Sequence, residues 1–255
     1  MQDHTIAQLK EMLTANLLTD EHIQQLTHDP RKGVQQLVRI YKRNQKQIAL
    51  LNKQFSQMLT YEKKFWDQGL SYVAGVDEAG RGPLAGPVVA AAVILPDDFK
   101  LLGINDSKAL SVEEREKFFQ QITKEAISYH ISFVDQATID ELNILEATKL
   151  AMEDALLNLQ PQPQVALIDA VKLQLSSFKA DTIIKGDEKS VTIAAASILA
   201  KVSRDRYMAK IHEKYPNYNF HKHKGYGTND HLKRLKRYGV SPIHRRSFTP
   251  VRRYI

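Results

Sequence analysis

The chain has 255 residues, 43% hydrophobic and 25% charged, the balance of a soluble globular protein built as one large domain or a domain with an appendage. It has no cysteine, which excludes disulfides, thiolate metal sites and cysteine nucleophiles, and no apolar run approaches the roughly 20 residues needed to span a bilayer. The formal charge of +7 is unevenly spread: residues 1–70 carry 10 Lys/Arg against 7 Asp/Glu, residues 71–200 carry 11 against 19, and residues 201–255 carry 15 against 3.

An acidic middle joined to a basic tail suits a protein that holds cations with one part and a polyanion with another. Lysines and arginines that only solubilise a terminal helix would give the same count. The N-terminus lacks a basic region followed by an apolar stretch, so no signal peptide is expected and a reducing cytoplasm is the expected compartment.

Residues 1–70 predict a helical extension. Thr5-Ile6-Ala7-Gln8 has the spacing of a capping box, with Ile6, Leu9, Leu13 and Leu17 on one face behind it. Asp20 is placed to cap a short second helix through Ile23 and Leu26. Asp29-Pro30 supplies an N-cap with proline at the first helical position. Val34, Leu37, Tyr41, Asn44, Ile48, Leu51, Phe55 and Met58 then recur at alternating spacings of 3 and 4, a heptad-like seam with one polar member. The seam is expected to pack against its own neighbours. Docking of a partner or of nucleic acid is the alternative, and no residue identifies a partner.

Beyond residue 70 the texture changes to that of an α/β domain spanning 71–255. Tyr72–Asp77 and Pro87–Leu95 predict strands separated by a glycine-rich loop, and Ser128–Val134 predicts a third. Ser111-Val112-Glu113-Glu114 opens a helix to about Ala126, and Thr138-Ile139-Asp140-Glu141 opens another to about Leu159. Val165–Ile168 is wholly apolar, as a strand buried on both faces should be. Thr182–Lys185 predicts one more strand, and Ser190–Tyr215 a helix. The order predicts a mixed sheet flanked by helices, followed by a basic C-terminal helical region.

Four acids interrupt apolar sequence at predicted strand ends: Asp77, Glu78, Asp169 and Asp187. Carboxylates at the ends of α/β strands can converge despite long sequence gaps. Oxygen ligands of this kind suit Mg²⁺ or Mn²⁺, and two such ions about 4 Å apart can activate a water and stabilise the departing oxygen of a phosphodiester. For any one acid taken alone, a solvated turn residue is the simpler reading. Asp169 weakens that reading, because an acid directly after four buried positions needs a partner or a metal. Regular pleating turns Asp77 and Glu78 to opposite faces. Either the strand ends or bulges there, or Glu78 contributes through water or its backbone carbonyl.

Gly80-Arg81-Gly82-Pro83-Leu84-Ala85-Gly86-Pro87 can bring its backbone close to a ligand, and Arg81 offers a planar fork to a phosphate. It matches neither the Walker nor the dinucleotide pattern, and a tight strand-to-strand turn would explain it equally well. Taken with its neighbours, however, Gly75-Val76-Asp77-Glu78-Ala79-Gly80-Arg81-Gly82-Pro83-Leu84-Ala85-Gly86-Pro87-Val88 closely resembles the signature of the ribonuclease HII family. Asn105-Asp106-Ser107-Lys108, Ile168-Asp169, Lys185-Gly186-Asp187, the stretch 193–205, His223-Lys224-Gly225-Tyr226-Gly227-Thr228 and the stretch 241–248 continue the resemblance in order. It covers about residues 72–250.

The resemblance implies a ribonuclease H-like fold and a two-metal mechanism, with Asp77, Glu78, Asp169 and Asp187 holding two divalent ions. It implies that Gly80-Arg81-Gly82 reads a ribose 2′-hydroxyl, the group that separates RNA from DNA. Tyr226 is expected to stack on the sugar at the RNA–DNA junction, and Lys108, Ser197, Lys201 and Lys224 to touch substrate. Ribonuclease HIII is similar but carries threonine at the position of Arg81, which favours type HII. Residues 1–70 are the departure, since most members lack them in this form.

Arg204, Arg206, Lys210, Lys233, Arg234, Lys236, Arg237, Arg245 and Arg246, with Lys201, predict a phosphate-gripping surface. His221, His223, His231 and His244 are expected to be structural or phosphate-contacting, their irregular spacing arguing against a metal cluster. The expected enzyme acts as a monomer on RNA–DNA hybrids and on duplex DNA containing ribonucleotides, with no membrane partner. It leaves 3′-hydroxyl and 5′-phosphate ends. A two-metal nuclease with another substrate is the alternative among enzymes. A non-catalytic hybrid-binding protein would call for loss of a carboxylate, and all four are present.

Overall fold

A computed structural model describes residues 4–175 and 178–255. The first three residues, on which part of the signal-peptide expectation rests, lie outside that range. The chain divides into two compact units, residues 1–54 and 55–255.

The first unit holds α1 (Ile6–Thr14), α2 (Asp20–Thr27) and most of α3 (Lys32–Met58). Leu9, Leu13, Ile23, Leu26, Val34 and Val38 form its core, with Leu37 and Tyr41 against it. Thr5 and Gln8 make the expected capping box. Two caps differ from expectation. Thr19, not Asp20, accepts the His22 N–H at the start of α2, because it stands one residue earlier, in extended backbone. Asp29 turns its carboxylate onto the Arg31 N–H and guanidinium, and α3 begins at Lys32 rather than Pro30. Farther along the seam Ile48 is exposed.

The second unit begins within the last turn of α3 and continues into α4 (Thr60–Trp66). Phe55 and Met58 join the sheet unit's core, and Phe65 packs with Val73, Val165 and Leu167. Five strands follow: β1 (Val73–Ala79), β2 (Val88–Ile94), β3 (Ser128–Val134), β4 (Val165–Asp169) and β5 (Lys179–Ile183). Their order is β3-β2-β1-β4-β5. β1–β2 and β2–β3 are antiparallel, while β1–β4 and β4–β5 are parallel, so the sheet is mixed as expected. All seven residues of β2 are buried, which fits its Val/Ala/Ile composition and its place inside the sheet.

Helices cover both faces. α5 (Val112–Glu125), opened by the Ser111–Glu114 capping box, and α8 (Val191–Lys214) pack on one side against Val89, Ala91 and Val93. α6 (Gln136–Leu142) and α7 (Ile144–Leu157) lie on the other, where Ala147, Ala151 and Met152 meet Ala90 and Ala92. The single helix expected from Thr138 to Leu159 is thus two. Asn143 breaks it with φ +76°, and its side chain accepts the Leu145 and Glu146 N–H groups to start the second. β5 ends at Ile183 rather than Lys185, because Lys185 adopts φ +56° and turns the chain into a 3-10 turn at Gly186–Glu188.

α8 sits unusually close to the sheet. A Cβ on Gly75 would come within 2.0 Å of the Thr192 carbonyl carbon, so only glycine fits beneath this helix. The buried Glu62 of α4 anchors the same helix start: its Oε1 accepts from Ser190 Oγ at 2.6 Å, and from Thr192 N and Oγ1 at 2.9 Å each. Short helices α9 (Phe220–His223), α10 (Asn229–Tyr238) and α11 (Thr249–Arg252) complete the basic C-terminal region. Among the described residues no helix is long and apolar enough to cross a membrane.

Candidate active site

The last hydrogen-bonded pair of β1 and β4 is Val76 with Ile168, so Asp77 and Asp169 stand side by side at adjoining carboxyl ends. Pleating turns Ala74 and Val76 toward the α7 side, where both join its core, and turns Asp77 toward α8. Asp187 arrives through the 3-10 turn. Asp169 Oδ1 accepts the Gly186 N–H at 2.7 Å, which fixes the turn beside β4. One oxygen from each of Asp77, Asp169 and Asp187 lies within 4.8 Å of the others.

Glu78 stands outside this trio. β1 keeps unbroken register with β2 through Asp77–Ala91, Glu78–Ala90 and Ala79–Val89, so neither a strand end nor a bulge brings it across. It faces the α7 side. Its Oε1 is 3.4 Å from Arg81 Nη1, and its buried Oε2 has no hydrogen-bond partner among the described residues. On that side a cleft of about 560 Å³ is lined by Arg81, Leu145, Lys149, Ala170 and Lys172.

The electrostatics are those of desolvated, mutually repelling carboxylates. Burial pushes the Asp77 carboxyl well above its ordinary range, the charges of Glu78 and Asp169 add to this, and the Ser197 hydroxyl opposes it. Burial, then Asp106 and Asp169, raise Asp187 to about 6. Burial also raises Glu78, partly offset by Arg81. Lys108 is the answering cation: desolvation works against its charge, but Asp106, Asp187, Asp77 and Glu78 together hold its ammonium above the usual lysine value. Crowded carboxylate oxygens and an orphaned buried acceptor fit a hard divalent cation.

The glycine-rich loop lies next to the trio and is fixed by two arginines. Arg204 donates to Pro87 O and Lys224 O at 3.0 Å and to Ala85 O at 3.1 Å. Arg245 donates to Gly86 O and Arg81 O at 2.9 Å and to Gly80 O at 2.6 Å. Gly80 has φ +97°, and a Cβ there would strike Arg204 Nε at 2.1 Å. The loop is also stitched to the C-terminal region by Leu84 N to Gly225 O, Gly86 N to Ile243 O and Arg245 N to Leu84 O. The ring of Tyr226, 42% exposed, borders Gly82: a Cβ on that glycine would lie 3.8 Å from it.

Two of the arginines expected on a phosphate-gripping surface lie inside the fold instead. Arg204 and Arg245 are 1% and 0% exposed and bind the protein's own carbonyls. Arg206 pairs with Glu116 and lies over the Phe119 ring, and Arg234 pairs with Asp230. Lys201 pairs with Asp205 at 2.7 Å. Ser197 is 4% exposed and bonds Ser107 Oγ at 3.0 Å, which ties the 105–108 loop to α8 behind Asp77. Lys224 contributes its backbone carbonyl to Arg204 from a left-handed conformation.

Three histidines are structural, as expected. The His231 Nδ1 side faces Tyr226 O at 2.9 Å, its Nε2 meets His244 Nε2 at 3.0 Å, and His244 Nδ1 meets Ser241 N and Oγ. His231 therefore carries its proton on Nδ1 and His244 on Nε2, a tautomer pair inferred from the network. His223 Nε2 donates to Tyr218 O and its Nδ1 accepts from Gly225 N. Sequence reasoning missed the bracing role of Arg204, although a signal existed: Ala196, Ala200, Arg204 and Met208 follow at spacing 4 along the buried stripe of α8. Arg245 carried no comparable local signal.

A mixed five-stranded sheet flanked by helices, with buried carboxylates gathered at the ends of neighbouring parallel strands, defines a nuclease of the ribonuclease H-like class. The ribonuclease HII family model matches residues 74–251, and the ribonuclease HII N-terminal domain model matches residues 5–66. A ribonuclease HII of Oceanobacillus iheyensis is 53% identical over 254 residues, covering 100% of this chain and 97% of the relative. One from Ligilactobacillus salivarius is 46% identical over 255 residues, 100% of this chain and 99% of its own length. The crystal structure of ribonuclease H2 from Pyrococcus horikoshii superposes with TM-score 0.61 at 30% identity, over 71% of this chain and 96% of that one. The chain belongs to the ribonuclease HII family, and so is a ribonuclease H endonuclease that acts on nucleic acid and uses divalent metal. The relatives align over its full length, including the residues of the N-terminal helices.

Proposed function

We propose that the enzyme nicks duplex DNA on the 5′ side of an embedded ribonucleotide and cuts the RNA strand of RNA–DNA hybrids, leaving 3′-hydroxyl and 5′-phosphate ends. Such nicking would begin removal of ribonucleotides from DNA. One observation carries the reading: a trio of carboxylates within 4.8 Å stands beside a glycine-rich loop whose Gly82 borders the exposed Tyr226 ring. That arrangement supports a reading in which groups suited to cutting adjoin a surface suited to meeting a ribose.

Asp77, Asp169 and Asp187 would hold two Mg²⁺ or Mn²⁺ ions, with Glu78 at the margin. Bound there, the ions supply a water of lowered pKa and stabilisation of the leaving 3′-oxygen, so no side-chain nucleophile is needed. The peptides of Gly80-Arg81-Gly82 meet the 2′-hydroxyl, which both donates and accepts. Tyr226 offers its ring to the adjoining sugar and Lys108 its ammonium to a phosphate near the carboxylates. Arg81, 43% exposed at its side chain, reaches a phosphate at the cost of its long contact with Glu78. The test is duplex DNA with one ribonucleotide, with Mg²⁺ or Mn²⁺. The expected product is a single nick 5′ of that residue, lost in Asp77→Asn. Equal cutting of all-DNA duplex sinks the substrate claim, and full activity in Asp77→Asn sinks the mechanism.

A further inference from the structure

The buried arginines do more than fill space beneath the loop. All six of their hydrogen bonds go to peptide carbonyls. The acids whose charge reaches them are engaged elsewhere: Asp205 with Lys201, and Asp140 with the Arg246 and Ser247 N–H groups. Two buried like cations are therefore compensated by oriented peptide dipoles, five of the six from the glycine-rich loop itself. Burial, then Arg204, pull the Arg245 guanidinium down to about 9.

The direction of those dipoles has a consequence for the opposite side of the loop. In a planar trans peptide the C=O of one residue and the N–H of the next point in opposite directions. The Gly80 and Arg81 carbonyls point inward to Arg245, at 2.6 and 2.9 Å. The N–H groups of Arg81 and Gly82 must therefore point outward. Arg204 adds a second constraint, because its three donors span both Ala85 and Pro87 of this loop and Lys224 of the next, and its guanidinium lies 5.8 Å from the Tyr226 ring centre.

We infer that Arg245 and Arg204 are specificity-determining positioning residues: Arg245 turns two peptide planes so that the Arg81 and Gly82 N–H groups face the ribose, and Arg204 locks that loop to Tyr226. The inference rests on the reading that this loop meets the 2′-hydroxyl. Lysine cannot replace either residue, since one ammonium lacks the flat fork that holds several carbonyls in fixed directions.

The experiment compares affinity for two duplexes, one all-DNA and one with a single ribonucleotide, in an Asp77→Asn background with Mg²⁺ so that nothing is cut. Adding Arg245→Lys or Arg204→Lys is expected to reduce the ribonucleotide preference at least about fivefold while all-DNA affinity stays within about twofold. A preference unchanged within about twofold in both variants overturns the inference, as does an equal loss of affinity for both duplexes. A second measurement uses the Asp77→Asn protein without further change. Amide exchange at Arg81 and Gly82 should be slowed by the ribonucleotide duplex and not by all-DNA duplex, and equal slowing overturns the inference. If the Asp77→Asn background itself shows no ribonucleotide preference, the reading of the loop fails first and the inference with it.

Discussion

The molecule buries two sets of like charges and keeps them in opposite ways. At the strand ends Asp77 and Asp187 are 5% and 8% exposed, and their carboxyls are pushed up by burial first and then by the neighbouring carboxylates, Asp169 among them, more than Lys108 offsets at Asp187. Behind the neighbouring loop Arg204 and Arg245 are at least as deeply buried, yet three carbonyls meet each guanidinium. An incomplete set awaits something from outside the chain. A complete set is scaffold. Removing one charge should therefore have opposite effects on stability in the two places.

The largest expected effect is on catalysis. Asp169→Asn should lower cleavage by at least about 10³-fold, because electrostatic stabilisation of the reacting oxygens by bound metal is worth several kcal/mol. The same change should raise the melting temperature of the metal-free protein, since it relieves repulsion in a desolvated cluster. Mg²⁺ should then stabilise the wild type more than the variant. A variant less stable than wild type in EDTA would break the comparison, for it would mean the carboxylates are already satisfied.

Arg245→Met is the mirror experiment. It strands the Gly80, Arg81 and Gly86 carbonyls, and an unsatisfied buried polar group costs about 1–3 kcal/mol. Stability should fall by about 3 kcal/mol or more in denaturant titration, with or without metal. A loss below about 1 kcal/mol would show that water replaces the guanidinium, and that the loop is less rigid than its hydrogen bonds imply.

The two sets were not equally legible in the sequence. Asp77 and Asp169 stand out because each interrupts an apolar strand, and the parallel pairing of β1 with β4 does the rest. Asp187 was visible as an acid, but its arrival depends on the left-handed turn at Lys185 and on the bond from Gly186 to Asp169. Pleating alone places Glu78 on the face opposite Asp77, since β1 runs on without a bulge. Arginine, by contrast, signals exposure when only composition is read. Arg245 is buried by carbonyls some 160 positions away, a contact that no local pattern encodes. The break at Asn143 escaped for a related reason: the helical periodicity continues across it, and only the backbone angle and the side-chain cap end one helix and begin the next.

The histidine network permits a pH test with a definite sign. Burial holds His231 at about 4 and His244 at about 3, against an ordinary 6.5. Each binds fewer protons folded than unfolded, so its contribution is intact above about pH 6.5 and drains as the pH falls toward 4. Asp187, raised to about 6, has the opposite slope: it favours the fold below about pH 3.8, and that advantage is lost as pH rises through 6. Melting in saturating Mg²⁺ should suppress the carboxylate slope and leave the histidine one. Stability should then fall by about 1–2 kcal/mol per histidine between pH 7.5 and 5, and His244→Gln should flatten the curve. A curve equally steep in His244→Gln would assign the titration elsewhere.

The smallest expected effect falls at the aromatic ring beside Gly82 and Arg204. Tyr226 is anchored through its backbone, its carbonyl accepting from His231 and its N–H donating to His223 O, while its ring stays 42% exposed beside Gly82. The anchoring is independent of the ring, so changing the ring should alter substrate handling and hardly touch the fold. Stacking of a base on an aromatic face contributes about 1–3 kcal/mol, the scale expected of a nucleotide on this ring. Tyr226→Ala should thus lower kcat/KM on a single-ribonucleotide duplex about tenfold or somewhat more, with melting nearly unchanged, and Tyr226→Phe should stay within about twofold. If Tyr226→Phe lost as much as Tyr226→Ala, the hydroxyl rather than the ring would be the working group, and the surface beside Gly82 would be a hydrogen-bonding site instead of a stacking one.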